Sequence, residues 1–422
     1  VTSVTQADDR HVWHPYTQHG LPDPRPEIVR ASGAYLETRD GRKIFDAISS
    51  WWVTLHGHAH PRIAAAIAEQ ASTLEQVIFA GFTHEPGARL AEELVAHAPN
   101  GLERVFFSDD GSTAVEVAVK IALQYWKNRG ENRRTIAALD NAYHGDTFGA
   151  MSVSARGLFT EPFTNHLFDV ERLPDPATHD VGAALRDLLE RRGNELAAVI
   201  VEPMLLGAGG MRMWPASALR EMRLLTSAHG IPLIADEVLT GFGRTGPLFA
   251  CEHAGISPDI MCLSKGLTAG FLPLGATLAT RELFDAFTSD DRTRTLFHGH
   301  SFTANPIACA AARASLAILD ETGDAPRKRI EAAHCAATQR FTQFDCVENV
   351  RVLGTVLALD FRTQNAGYLN DLGPRLRRFA LERGVLLRPL GNTVYVLPPY
   401  CSTEADLAPA YDIIAAFAET IS

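Results

Sequence analysis

The chain has 422 residues, 46% apolar and 21% charged, an ordinary balance for a globular protein with a large core. Its 39 basic and 50 acidic side chains leave a net charge of −11 with no basic stripe, which argues against a nucleic-acid surface. No apolar run approaches the roughly 20 residues a bilayer requires. The opening VTSVTQADDRHVWHPY is polar rather than signal-like, and the six cysteines (Cys251, Cys262, Cys309, Cys335, Cys346, Cys401) form no C-x-x-C pair. The expectation is a cytoplasmic protein with reduced thiols, acting on small molecules, without membrane or nucleic-acid partners.

In chain order, GAYLETRDGRKIFDA reads as a hairpin with Asp40-Gly41 at its turn. FDAISSWWVTLHGHAHP follows, with Trp51 beside Trp52. Neighbouring residues diverge on a strand or a helix, so two adjacent indoles cannot fill one core slot. His56, His58 and His60 recur every second residue, which suggests a metal site. However, Gly57 and Pro61 make the segment a turn, and no acid or cysteine stands beside the histidines in sequence. Further on, RVFFSDDGS leads into the helical pattern TAVEVAVKIALQYWKNRG. TIAALDNAYHG, ELAAVIVEPMLL, IPLIADEV and DIMCLSKG are apolar runs that end in polar residues. Uniformly apolar strands alternating with helices predict an α/β domain with a mostly parallel sheet, whose chemistry gathers beyond the strands' carboxyl ends. After the Ala-rich HSFTANPIACAAARASLAILDE come mixed helices and short strands, read as a smaller α+β domain. The expected division is an N-terminal segment 1–57 joining the small domain, a large domain 58–307 and a C-terminal small domain 308–422.

The strand ends supply the candidates. Lys265 in MCLSKGLTAG either snorkels to solvent or is a desolvated amine suited to imine chemistry. Asp236 in PLIADEV can cap a helix, bind a metal or hold a pyridinium proton; Glu237 beside it should point elsewhere. SDDGSTAVE is a strand–turn–helix start in which Thr113 and Glu116 have capping-box spacing. Gly111 and Ser112 there make either an ordinary helix start or a phosphate seat. Tyr143 and His144 follow a strand, where an aromatic can pack in the loop or stack on a flat ring.

Together these residues resemble the class III aminotransferases, pyridoxal-phosphate enzymes of fold type I. The likeness covers nearly the whole chain through DGS, YHGDT, VEP, DEVLTGFGRTG, PDIMCLSKGLTAGFLPLGA and HGHSFTANP. It implies pyridoxal phosphate as cofactor and ping-pong amino transfer in a homodimer with active sites at the subunit interface. Lys265 would carry the cofactor as an imine, and Asp236 would contact the pyridine nitrogen. Gly111 and Ser112 would hold the phosphate, helped by His300 and Ser301 of the other subunit, and Tyr143 would stack on the ring. Tyr16, Trp51, Trp52, Tyr143, Gly299 and Arg388 would line the substrate pocket, with Tyr395 and Arg244 as further candidates. Arg388 would clamp a carboxylate, because a guanidinium fork matches its two oxygens. Glu202 would position the cofactor side or pair with an arginine. Trp51 is the better candidate for direct substrate contact, with Trp52 a second wall or a brace. WHPY and SSWW are lacking in most of the class and bear on substrate choice. The chain departs from the usual pattern at Asp110 (serine), His300 (proline), Ser301 (threonine) and Ala80 (glycine).

Overall fold

The computed structural model describes residues 3–21, 23–364 and 367–421. After a short helix, Val4–His11, come three strands, β1 (Ile28–Ser32), β2 (Tyr35–Thr38) and β3 (Lys43–Asp46). The large sheet is built from β4 (Leu102–Ser108), β5 (Thr135–Leu139), β6 (Glu171–Leu173) and β7 (Leu196–Val201). After a two-stranded hairpin, β8 (Leu205–Leu206) and β9 (Arg212–Met213), come β10 (Leu233–Asp236), β11 (Ile260–Leu263) and β12 (Gly275–Thr280). The last strands are β13 (Val347–Leu353), β14 (Val356–Phe361), β15 (Val385–Leu386) and β16 (Thr393–Val396).

The large sheet runs β4-β12-β11-β10-β7-β5-β6. β10 pairs parallel with β11 and β7, and β5 with β7 and β6. β12 is antiparallel to both of its neighbours. That strand, GATLAT, is small-residued and was not singled out from sequence. It follows β11 through a short connection pinned by Ser264 Oγ donating to the Leu274 carbonyl at 2.8 Å, too tight for a parallel crossover.

Period-2 alternation along the parallel strands divides their side chains between two layers. Ile136, Ala138, Ile200 and Ile234 pack under the helix Gly111–Asn128, together with its Val115, Ala118 and Ala122. Ala137, Leu139, Val199, Val201 and Leu233 pack on the opposite face with Leu185, Leu189, Leu219 and Met222 of the helices Val181–Arg192 and Ala216–Ala228. The sequence expectation of an α/β fold with a mostly parallel sheet holds.

The Asp-Gly hairpin is present as β2–β3, with Gly41 at φ +82°. β15 joins its edge by pairing parallel with β3, Val385 opposite Phe45 and Leu386 opposite Asp46. Leu397 N–H donates to the Ala47 carbonyl and Tyr400 N–H to that of Leu55, both at 2.8 Å. The N-terminal strands thus lie against the C-terminal part, where β13, β14 and β16 form a separate antiparallel sheet. No helix among the described residues is long and apolar enough to cross a membrane.

Candidate active site

The carboxyl ends of β4, β5, β7, β10 and β11 open onto one cavity of about 390 Å³. Gly111 and Ser112 line it from beyond β4, Tyr143 and His144 from beyond β5, Glu202 from β7, Asp236 from β10 and Lys265 from β11; Trp52 closes one side. The general rule for parallel α/β sheets places a site there.

Lys265 follows β11 in the left-handed region, φ +35°. It is mostly buried, and desolvation pulls its ammonium down to about 8; the charges of Asp236 and Glu202 resist that shift. Its Nζ lies 4.4 Å from the centroid of the Trp52 ring. Asp236 is buried, accepting from His144 Nδ1 at 2.7 Å and from the Val238 N–H at 3.1 Å. The Glu202 carboxyl is buried and pushed up to about 7 by desolvation, with Asp236 adding to the rise and His144 opposing it. It accepts the N–H groups of Tyr143 at 2.8 Å and Gly207 at 3.0 Å; among the described residues it has no arginine partner, the second of the two roles expected for Glu202. Glu237 turns away as expected, accepting from Thr240 Oγ1 and from the N–H groups of Ala250 and Cys251.

The helix Gly111–Asn128 is capped by Asp110, whose Oδ1 accepts the Thr113 N–H at 2.7 Å while Thr113 Oγ1 accepts the Asp110 N–H at 3.0 Å. The capping box is therefore Asp110 with Thr113, not Thr113 with Glu116. Position 110 can serve because its carboxylate turns back onto the helix instead of toward the seat. Glu116 is consequently free, and one of its oxygens takes Thr147 Oγ1 at 2.6 Å and the N–H groups of Gly149 at 2.7 Å and Ala150 at 3.2 Å. One turn earlier, Ser112 Oγ accepts the Asp146 N–H at 3.2 Å. Gly145, at φ +131°, approaches so closely that a Cβ would stand 2.1 Å from Ser112 Oγ. The loop carrying Tyr143 and His144 is thus laid along the first two turns of this helix.

The aromatic residues assemble at the mouth. Tyr16 meets Trp51 edge-on at 5.5 Å and Phe159 at 5.7 Å, donates its hydroxyl to Asp146, and lies 3.4 Å from the Tyr143 hydroxyl. Burial and the Asp146 carboxylate push the Tyr16 phenol up to about 12, and burial raises that of Tyr143 further. The Arg388 guanidinium stacks on Trp51 at 4.6 Å. Near the lysine it is Trp52 that lines the cavity, while Trp51 stands farther out with Tyr16 and Arg388.

Two sequence candidates lie behind the wall. Arg244 is 1% exposed and donates to the carbonyls of Pro398 at 3.0 Å, Trp52 at 3.2 Å and Thr54 at 3.4 Å, so it braces backbone instead of facing the cavity. Tyr395 is 2% exposed and takes the Trp52 indole N–H at 3.0 Å. Gly299, His300 and Ser301 do not line this chain's own cavity. His300 Nε2 stands 3.8 Å from Asp109 Oδ1, and the Ser301 carbonyl accepts Gln76 Nε2 at 2.7 Å. The three histidines take different partners: His56 bonds Ser315, His58 bonds Asp46 at 2.9 Å, and His60, whose ring meets that of His56 edge-on at 6.0 Å, precedes the helix Pro61–Thr73. The acid partner that His58 lacks in sequence comes from 12 residues upstream. Among the described residues no group of three or more His, Cys, Asp or Glu side chains could hold a metal ion. Sequence reading also missed Asp46 and Asp146, and gave Glu116 only a capping role; Asp146 carried a signal in its place in the YHGDT loop.

The cavity's donors suit an anionic, planar heterocycle. The Gly111 and Ser112 N–H groups have no acceptor among the described residues and head an 18-residue helix, as a phosphate requires. Asp236 is a buried carboxylate with an oriented partner, and Lys265 an amine of lowered basicity.

The model of the class-III aminotransferases matches residues 18–417, and the chain belongs to that family, whose cofactor is pyridoxal phosphate. Among its relatives, an adenosylmethionine-8-amino-7-oxononanoate aminotransferase of Synechococcus elongatus is 52% identical over 96% of this chain and 97% of its own. One of the same name from Mycobacterium leprae is 42% identical over 95% and 93%. The crystal structure of such an enzyme from Methanocaldococcus jannaschii superposes with a TM-score of 0.94 at 33% identity, covering 98% of each chain. An amine transaminase from an uncultivated Pseudomonas species, in its PLP-bound form, gives 0.90 at 32% identity over 98% and 99%.

Proposed function

We propose that this chain transfers an amino group from S-adenosylmethionine to 8-amino-7-oxononanoate, forming 7,8-diaminononanoate in biotin biosynthesis. The observation that carries this reading is the aromatic wall of Tyr16, Trp51, Trp52 and Tyr143, with Arg388 stacked on it, beside Lys265. The names of the relatives agree with it. One site must serve a long alkyl chain ending in a carboxylate and a purine-bearing sulfonium. Flat rings bury the first and attract the second through their faces, and the guanidinium meets a carboxylate from either.

Bound pyridoxal phosphate supplies a carbonyl that condenses with amines and a ring that stores an electron pair. Gly111 and Ser112 would hold the phosphate and Tyr143 would pack against the ring. Asp236, oriented by His144, would favour a proton on the ring nitrogen. Lys265, an amine of lowered basicity, would move the proton at the carbon that bears nitrogen in donor and acceptor. Glu202 fixes the backbone at Tyr143 and Gly207.

The assembly proposed is a homodimer in which His300 and Ser301 reach the partner's cofactor phosphate and Gly299 lines a substrate pocket, and the division into segments 1–57, 58–307 and 308–422 is proposed with it. The test is a half-reaction survey. Yellow holoenzyme is mixed separately with S-adenosylmethionine, lysine and simple ω-amines, and the loss of its visible band is followed. Bleaching by S-adenosylmethionine, reversed by 8-amino-7-oxononanoate, is expected. Bleaching by lysine alone overturns the donor, and activity on simple amines without turnover of the oxononanoate overturns the acceptor in favour of a broad ω-amine aminotransferase.

A further inference from the structure

Ser49, Ser50, Trp51 and Trp52 all have positive φ, at 52°, 53°, 97° and 73°. Four consecutive non-glycine residues in the left-handed region are costly, about 1–2 kcal/mol each, and persist only where the surroundings over-determine them. The left-handed turn is what lets adjacent indoles serve one site, since it aims Trp52 at Lys265 while Trp51 meets Tyr16 and Arg388. The Ser49 hydroxyl, Tyr395 and Arg244 hold its far side, and Asp46 gathers four bonds on its near side. This fully buried carboxylate accepts the Ile48 N–H at 3.3 Å and the Ser50 N–H at 2.9 Å on one oxygen. On the other it takes the Ser50 hydroxyl at 2.6 Å and His58 Nε2 at 2.9 Å.

We propose that Asp46 is a positioning residue that holds Trp51 and Trp52 in their substrate-facing geometry by locking the strained turn, and that it thereby sets the affinity for both substrates without touching either. Removing it lets the turn relax toward right-handed backbone, which swings both indoles away.

The experiment compares Asp46→Ala, Asp46→Asn and Asp46→Ala combined with Ser50→Gly, all as holoenzymes. Alanine raises KM for S-adenosylmethionine and for 8-amino-7-oxononanoate at least about tenfold and shifts the tryptophan emission, while cofactor affinity by equilibrium dialysis stays within about twofold. Asparagine, which keeps an acceptor for the two N–H groups, stays within about threefold of the parent. Glycine at 50 adopts positive φ without strain, so the double variant recovers most of the lost KM and emission. A defect that merely loosened the fold would not be rescued by a glycine. Unchanged KM and emission in Asp46→Ala, or a double variant no better than the single, overturns the proposal. Should Asp46→Ala not fold, Asp46→Asn and Ser50→Gly in the parent decide it: a wild-type-like Ser50→Gly with a parent-like Asp46→Asn supports the lock, and a folded Asp46→Asn that loses the emission signature counts against it. Collapse of KM in Ser50→Gly alone counts against it. The KM arm rests on the proposed reaction, whereas emission does not. A parent inactive on the oxononanoate overturns that reaction and leaves the emission arm to judge Asp46.

Discussion

Lys265 shows how burial alone prepares a side chain for chemistry. Its ammonium is stripped of water and titrates near 8, well below the ordinary lysine value of about 10.4. In the apoprotein, competitive acylation followed by peptide mapping should therefore show Lys265 reaching half-maximal reactivity near pH 8; a midpoint of about 10 contradicts the burial argument. The stability consequence has a fixed sign. Because the folded value lies below the unfolded one, the native state binds fewer protons across that interval. The apoprotein gains stability as pH rises from about 8 to about 10.4, and Lys265→Met lacks the gain. Glu202 has the opposite slope. Its folded value near 7 lies above the ordinary 4.5, so its contribution is present below about 4.5 and lost as pH rises through about 7. Glu202→Gln should flatten that part of the urea-unfolding profile, and cost about 1–3 kcal/mol at low pH because an amide nitrogen then faces a backbone N–H.

At the scale of elements, the strand ends were legible and the caps were not. Apolar runs stopping at Asp236, Lys265 and Glu202 marked the carboxyl edge of the sheet, because a parallel strand buried on both faces has no other place for such residues. The helix start at Gly111 was read correctly, but its capping box was shifted by one turn. S/T-x-x-E spacing is a local pattern, and Glu116 is drawn off by donors 31 to 34 residues away in the 147–150 segment. The partners of Arg244 and His58 were illegible for the same reason: Pro398 and Asp46 meet them only in the fold. The hairpin of β13 and β14 gives an element-scale test. Its Gly354, at φ +55°, rests on the backbone of the Arg244–Gly246 segment, and a Cβ there would stand 2.3 Å from the Thr245 carbonyl carbon and 2.4 Å from the Gly246 nitrogen. Gly354→Ala is expected to cost at least about 1–3 kcal/mol from the strained φ alone, read as a lower urea midpoint. Because Arg244 braces the Trp52 carbonyl, the same variant should also raise KM for both substrates.

At the scale of the molecule, one group of exposed apolar residues lies close to the cavity. Ile78 and Phe82 are each 61% exposed, Phe297 76% and Phe302 64%. Their two segments are tied into one face by Gln76 Nε2 donating to the Ser301 carbonyl and Asn305 Nδ2 donating to that of Glu75 at 2.9 Å. Phe302 and Asp109 line a second cavity, of about 340 Å³, that shares Leu272, Pro273 and Leu274 with the first. Large exposed aromatics grouped in this way mark an interface, and a self-complementary face closes most simply as a two-fold dimer. The proposed homodimer therefore predicts linked effects from a residue that touches no cofactor in its own subunit. Phe302→Asp should convert a dimer to a monomer in sedimentation equilibrium. It should also weaken pyridoxal phosphate binding at least about tenfold, because the phosphate loses the partner's Ser301 hydroxyl and the N–H groups around it. Monomers that bind the cofactor as tightly as the parent would show that each chain completes its phosphate seat alone. A Phe302→Asp protein that stays dimeric would place the interface elsewhere. If Ser301→Ala in the intact dimer weakens cofactor binding without dissociating it, the hydroxyl's share is separated from that of assembly.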